Sequence, residues 1–137
     1  MTARPGGRSL RRVSSLLPFA AVALGGALGG AARHVAAMAV TRRTDEGFPW
    51  GILVVNLSGA AMVGALAALV PAEHDPLRLL LGTGFLGGYT TVSAFALQTL
   101  TLAEEGRPGA AFGYVAASVA GSIAAVAAGF ALADLLR

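Results

Sequence analysis

Three hydroxyls stand four residues apart near the C-terminus: Tyr114, Ser118 and Ser122. Residues four apart stack on one face of an α-helix, so these three form a single stripe of O–H groups at successive depths. Such a stripe suits the passage of a dehydrated anion, whereas scattered serines in apolar helices usually bond back to their own backbone. Asn56 lies alone in the strongly apolar run WGILVVNLSGAAMVGALAALV. An amide there either joins two helices, worth about 0.6–2 kcal/mol, or offers its N–H groups to a water- or ion-filled path. Arg33 interrupts another apolar run and is followed by His34. An arginine at mid-span costs about 2.5–3.5 kcal/mol, and less some two turns from a helix end, where its head reaches the interface. It reads as an interfacial anchor, as an electropositive mouth that draws anions in, or as both. His34 reads as interfacial, because no second His or carboxylate within the runs completes a metal site or a proton relay.

The fourth feature is the stretch GTGFLGGYTTVSAFALQT, residues 82–99, which breaks the habits of an apolar run. Gly82, Gly84, Gly87 and Gly88 are followed by the hydroxyls of Thr90, Thr91 and Ser93. Glycine weakens a helix, and Thr and Ser side chains compete for its backbone hydrogen bonds, so the stretch predicts an interruption of the helix within residues 84–93. Unpaired peptide groups do not survive against lipid; a break is tolerated only where it is buried in protein or lines a cavity. Its freed carbonyls would form an oxygen cage for a hard cation. The N–H groups of the resumed helix would face an anion.

The elements that must position these residues are membrane helices. Of 137 residues, 55% are hydrophobic and 12% charged, against roughly 25% charged in ordinary globular domains. The mean hydropathy is +0.71. Apolar runs long enough to cross a hydrocarbon core of ~30 Å occupy roughly 16–40, 50–70, 77–102 and 109–136. The connections are short, charged and contain Pro or Gly. Residues 1–15, with Pro5, Gly6, Gly7 and four arginines, read as a flexible extension; the alternative of a cleaved secretory signal is weaker, because the apolar character continues to Val40. All ten basic residues are Arg, and they flank apolar runs instead of forming one basic face, so the basic balance reflects membrane topology and not nucleic acid. The absence of Cys excludes disulfides and thiolate metal sites.

Both termini lie on one side of four spans. Arg4, Arg8, Arg11, Arg12, Arg78 and Arg137 stand on that side, and Arg42, Arg43 and Arg107 on the other, which favours cytoplasmic termini. Without the arginines of the extension the balance is nearly even, and the chain would insert both ways up. Gly25, Gly26, Gly29 and Gly30 form overlapping small-residue pairs, and Gly109, Gly113 and Gly121 recur in the last run. Such surfaces let helix backbones approach closely, within the chain and between copies. A dimer is expected.

The segments GGALGGAARH (25–34), WGILVVNLSG (50–59), GFLGGYTTVSAF (84–95) and GYVAASVAGS (113–122) together resemble the Fluc/CrcB fluoride channels over nearly the whole chain beyond residue 15. The resemblance implies an all-α membrane protein of four helices with a broken third helix, assembled as an antiparallel, dual-topology dimer. It further implies two narrow fluoride pores and passive export of fluoride across the plasma membrane, with no enzymatic activity. A structural sodium ion would be held at the dimer centre by the main-chain oxygens of Gly87 and Thr90. Asn56 corresponds to the pore asparagine, Arg33 to the vestibule arginine, and Phe95 to the second pore phenylalanine. Tyr114, Ser118 and Ser122 correspond to the polar track, and Thr91, Val92 and Ser93 belong to the pore motif. Val92 replaces the first pore phenylalanine, and Ala94 a threonine. A homologous partner could supply what Val92 lacks, so a homodimer and a heterodimer both remain open. Two readings from other classes are a small four-helix, proton-coupled multidrug exporter and a non-transporting membrane scaffold. The exporter would need a membrane carboxylate where this chain has Arg33.

Overall fold

The computed structural model describes residues 7–44, 47–71 and 75–137; the side chains of residues 7–15 and of Asp75 lie outside the description. The order of elements is α1 (Gly7–Thr41), α2 (Trp50–Leu69), α3 (Asp75–Arg78), a π-helix (Leu79–Leu86), α4 (Gly87–Tyr89), α5 (Val92–Glu104) and α6 (Pro108–Asp134). Four stretches are long and apolar enough to cross a membrane: Leu16–Thr41, Trp50–Leu69, Pro76–Glu104 and Pro108–Asp134. The third span contains α3, the π-helix, α4 and α5 in succession. The helix of the first span begins at Gly7, so the backbone is helical through much of the segment expected to form a flexible extension. Leu, Val, Arg and Ser there carry little helix penalty, and a helix already nucleated lengthens at one hydrogen bond per residue.

These helices are apolar nearly all round, so no hydrophobic stripe tells them which way to face. Small residues decide it, by letting backbones touch. α1 packs along the π-helix and α4, and α2 lies between α1 and α6, with α5 against α6. In the first seam a Cβ on Gly29 would strike the Phe85 carbonyl, and one on Gly25 would come within 2.8 Å of the Phe85 nitrogen. In the second seam Gly64 lies against the Val126 carbonyl and Gly129 against the Ala61 carbonyl. Gly109 and Gly113, expected as packing positions, have nothing within 4 Å inside the chain, while Gly129 is a contact the sequence reading passed over. Gly64→Ala and Gly129→Ala are each expected to destabilise the fold by about 1–3 kcal/mol through overpacking. Gly109→Ala is expected to stay within about 0.5 kcal/mol. Equilibrium unfolding in mixed micelles measures both, and equal effects at the three positions would contradict the assigned seams.

The end of α2 is held by two of the arginines counted for topology. Arg78 donates from Nε at 3.0 Å and from Nη2 at 2.6 Å to the Val70 carbonyl, and Arg137 Nη1 donates to the Ala68 carbonyl at 3.0 Å. They satisfy carbonyls that the helix itself leaves open, at the end where its dipole favours positive charge. Little of the apolar surface is covered within one copy: 11%, 28%, 22% and 6% of the most apolar window of each span in turn is buried. The remainder faces lipid or another chain.

Candidate functional site

The third span is interrupted midway, at Thr90 and Thr91, within the stretch expected to break. Thr90 is extended at φ −77°, ψ 160° and Thr91 at φ −152°, ψ 121°. Gly84 and Gly88 lie in the seam with α1: a Cβ on Gly84 would come within 3.0 Å of the Gly25 Cα, and one on Gly88 would strike the Gly26 carbonyl. They serve close approach of backbones, which a sequence cannot separate from conformational freedom. The interruption arises where Thr90 Oγ1 bonds back to the Leu86 carbonyl at 2.9 Å, and Thr91 Oγ1 accepts the Ala94 N–H at 3.2 Å as the cap of α5. The Leu86 carbonyl still accepts the Thr90 N–H at 3.0 Å, so the Thr90 hydroxyl adds a second bond there, whereas the Thr91 hydroxyl takes the place of a helical carbonyl.

The peptide groups so released are met by two side chains from other spans. Asn56 closes a two-bond ring on Thr91: the Thr91 N–H donates to Asn56 Oδ1 at 2.9 Å, and Asn56 Nδ2 donates to the Thr91 carbonyl at 3.1 Å. Arg33 Nη1 donates to the Thr90 carbonyl at 3.3 Å. Arg33, read from the sequence as anchor or vestibule, therefore extends to the break itself. Both braces exist because α1 and α2 hold fixed positions beside the break. Arg33 is one turn beyond Gly29 in the first seam, and Gly59 of α2 sits against the Thr90 methyl group. A further pair, Ser58 Oγ with Tyr89 Oη at 3.0 Å, ties the same two elements and was not foreseen.

An unbroken helix would send the Thr91 N–H to the Gly87 carbonyl and the Ala94 N–H to the Thr90 carbonyl. Both donors are diverted. The Gly87 carbonyl is thus freed at an exposed residue, and the freed Thr90 carbonyl is the one that Arg33 meets. Neutral carbonyl oxygens suit a hard cation. Among the described residues no three His, Asp or Glu side chains gather to hold a metal ion.

On the α6 side of the break lies a groove of about 420 Å³, open along the flank of the bundle. Asn56, Thr90, Thr91, Val92, Phe95, Ser118 and Ser122 line it, with Ala60, Val63, Val119 and Ile123. Seven residues singled out from sequence are thereby brought together. Ser93, Tyr114, Arg33 and Gly87 are not on its wall. Ser93 is exposed, with its Oγ 3.1 Å from Thr91 Oγ1. Tyr114 is fully buried behind the groove, its ring centroid 5.4 Å from that of Phe95 and 5.6 Å from that of Phe48. Tyr114 Oη and Ser118 Oγ are buried beside each other, one helical turn apart, and neither meets a hydrogen-bond partner on another span among the described residues. A buried hydroxyl pair that bonds only within itself keeps unused hydrogen-bonding capacity, which a ligand in the groove would take up. Val92 is 80% exposed at the lip, so the groove lacks a wall on that side. At the end of the bundle remote from the termini, His34, Gln98, Thr101, Glu105 and Arg107 line a cleft of about 390 Å³ together with Met38, Phe48, Ile52 and Leu102, which the sequence reading missed because its residues come from three separate spans and two loops.

Four membrane spans, the third of them interrupted midway, with donors and buried hydroxyls beside the interruption, define a membrane protein built to handle a dehydrated ion. The family model described as CrcB-like protein, Camphor Resistance (CrcB), matches residues 20–130. The chain belongs to this family. It is 49% identical over 120 residues to the Fluoride-specific ion channel FluC 2 of Bradyrhizobium diazoefficiens, covering 83% of this chain and 87% of that protein. It is 52% identical over 114 residues to the Fluoride-specific ion channel FluC of Paracoccus denitrificans, covering 81% and 90%. A third relative, from Rhizobium johnstonii, carries the same name at 46% identity over 114 residues.

Proposed function

We propose that the chain is a fluoride-selective channel of the plasma membrane that lets fluoride leave the cell passively and so lowers its toxicity. The observation that carries this reading is the convergence of Asn56, Phe95, Ser118 and Ser122 on one groove beside the interruption. Fluoride is small and strongly hydrated, so a path for it must replace water with donors at close range. Ser118 and Ser122 supply O–H groups along one wall, and the edge of the Phe95 ring presents its positive rim. Asn56 has two amide hydrogens; one goes to the Thr91 carbonyl, which leaves one for the groove it lines. Carboxylates would repel the anion, and none is among the described residues that line the groove. Exit from a cell negative inside gains about 2.3 kcal/mol per charge per 100 mV, so no coupled energy source is needed. The names of the relatives agree with the reading.

The open flank of the groove calls for a second copy, inserted the opposite way up, so that each chain closes the other's path. A structural sodium ion between the copies would be held by the carbonyls of Gly87 and Thr90 and would fix the two broken helices against each other. Val92 offers no aromatic rim, and a homologous partner bringing one would complete the path better than a second identical chain.

Efflux from liposomes holding the purified chain alone tests the reading. Fluoride is expected to leave while chloride is retained at least about tenfold more strongly. Equal passage of both anions would refute the pore assignment, and an absence of flux both alone and beside a homologue would favour the scaffold. Flux only beside a homologue would identify the paired form.

A further inference from the structure

The freed carbonyl of Thr90 is offered to two cations. One is built in: the Arg33 guanidinium reaches it at 3.3 Å in a half-buried setting. The other is the ion proposed above to rest on the carbonyls of Gly87 and Thr90. Arg33 always stands within reach of that carbonyl, although its side chain can swing off it. Its helix is locked to the third span by backbone contacts at Gly25 and Gly29, and the guanidinium lies over Gly30, 3.9 Å from where a Cβ there would be. A carbonyl oxygen has two lone pairs and could accept both partners geometrically. Charge forbids it: two unit positive charges about 5 Å apart at an effective dielectric of about 20 repel by an amount equivalent to a factor on the order of a hundred in affinity.

We infer that Arg33 is an internal competitor for the cation at this site, holding the Thr90 carbonyl until sodium displaces it and freeing its guanidinium for anions once displaced. The inference rests on the reading that a cation binds Gly87 and Thr90. It goes further, because it couples the two ions of opposite sign. Sodium releases the positive charge that attracts an anion, and by linkage an anion held by Arg33 strengthens sodium binding by the same factor.

The test is thermal unfolding of the purified full chain, with sodium titrated against N-methylglucamine at constant ionic strength. Arg33→Gln is expected to lower the half-saturating sodium concentration about tenfold or more. Arg33→Lys, which keeps the charge, is expected to stay within about threefold of wild type. A second readout needs no variant: in the wild type, sodium should raise the rate at which phenylglyoxal modifies Arg33 severalfold, read by peptide mass spectrometry. The inference fails if Arg33→Gln needs as much sodium as wild type or more, if Arg33→Lys behaves like Arg33→Gln, if sodium stabilises neither form, or if it leaves the labelling rate unchanged or lower. Should Arg33→Gln not fold, the labelling decides. Fluoride efflux by the wild type is measured separately, so a chain that conducts fluoride without any sodium effect loses this inference and keeps the functional reading.

Discussion

Asn56→Asp is expected to cut fluoride efflux at neutral pH by a factor of at least about a hundred. The carboxylate keeps an acceptor for the Thr91 N–H but has nothing to donate to the Thr91 carbonyl, which Asn56 now serves at 3.1 Å. A buried carbonyl left facing a second acceptor costs about 1–3 kcal/mol. The added negative charge then opposes an anion a few ångströms away, and each 1.4 kcal/mol of added barrier is another factor of ten. The thermal midpoint should fall as well, since the same ring braces the interruption. Acid should partly reverse both losses: once the introduced carboxyl is protonated, its O–H donates where the amide did. Efflux relative to wild type at the same pH is therefore expected to rise as pH is lowered. Variant flux within twofold of wild type at neutral pH, or no relative gain in acid, would show that the amide neither braces the break nor meets the ion.

Tyr114→Phe and Ser118→Ala are expected to separate function from stability. Each removes a buried hydroxyl whose only polar neighbour is the other, so little bonding is lost and the folded state is expected to hold within about 1 kcal/mol. Fluoride efflux is expected to fall about tenfold in each, because the path loses a donor at a depth where nothing replaces water. Mixed-micelle unfolding beside liposome efflux distinguishes the cases. Stability lower by more than about 1 kcal/mol with unchanged flux would make the hydroxyls packing elements.

Much of this was legible in the chain. Run length alone locates the spans within about two residues of those observed, because lipid thickness leaves few alternatives. The stripe of Tyr114, Ser118 and Ser122 could be read from the four-residue spacing, and an interruption near residue 90 from the crowd of glycines and hydroxyls. Which residues of that stretch carry it could not. Gly84 and Gly88 look like breakers and act as contact points, since whether a missing Cβ serves freedom or proximity depends on a neighbour more than fifty residues away. The ring between Asn56 and Thr91 joins residues 35 apart, and Arg33 and Thr90 are 57 apart. No local pattern encodes such pairs. The burial of Tyr114 was equally hidden, because in a nearly uniform apolar run periodicity does not say which face turns inward. The π-helix left no trace for the same reason.

That π-helix also bears on how the chain can vary. Closing each hydrogen bond one residue late, Leu79–Leu86 stores spare backbone in a widened coil. A deletion there can be absorbed by tightening the coil, with everything downstream left in phase. A deletion in α2 before residue 56 has no such slack and would swing the amide about 100° away from its target. Tolerance to length change is concentrated just upstream of the most exacting geometry in the molecule.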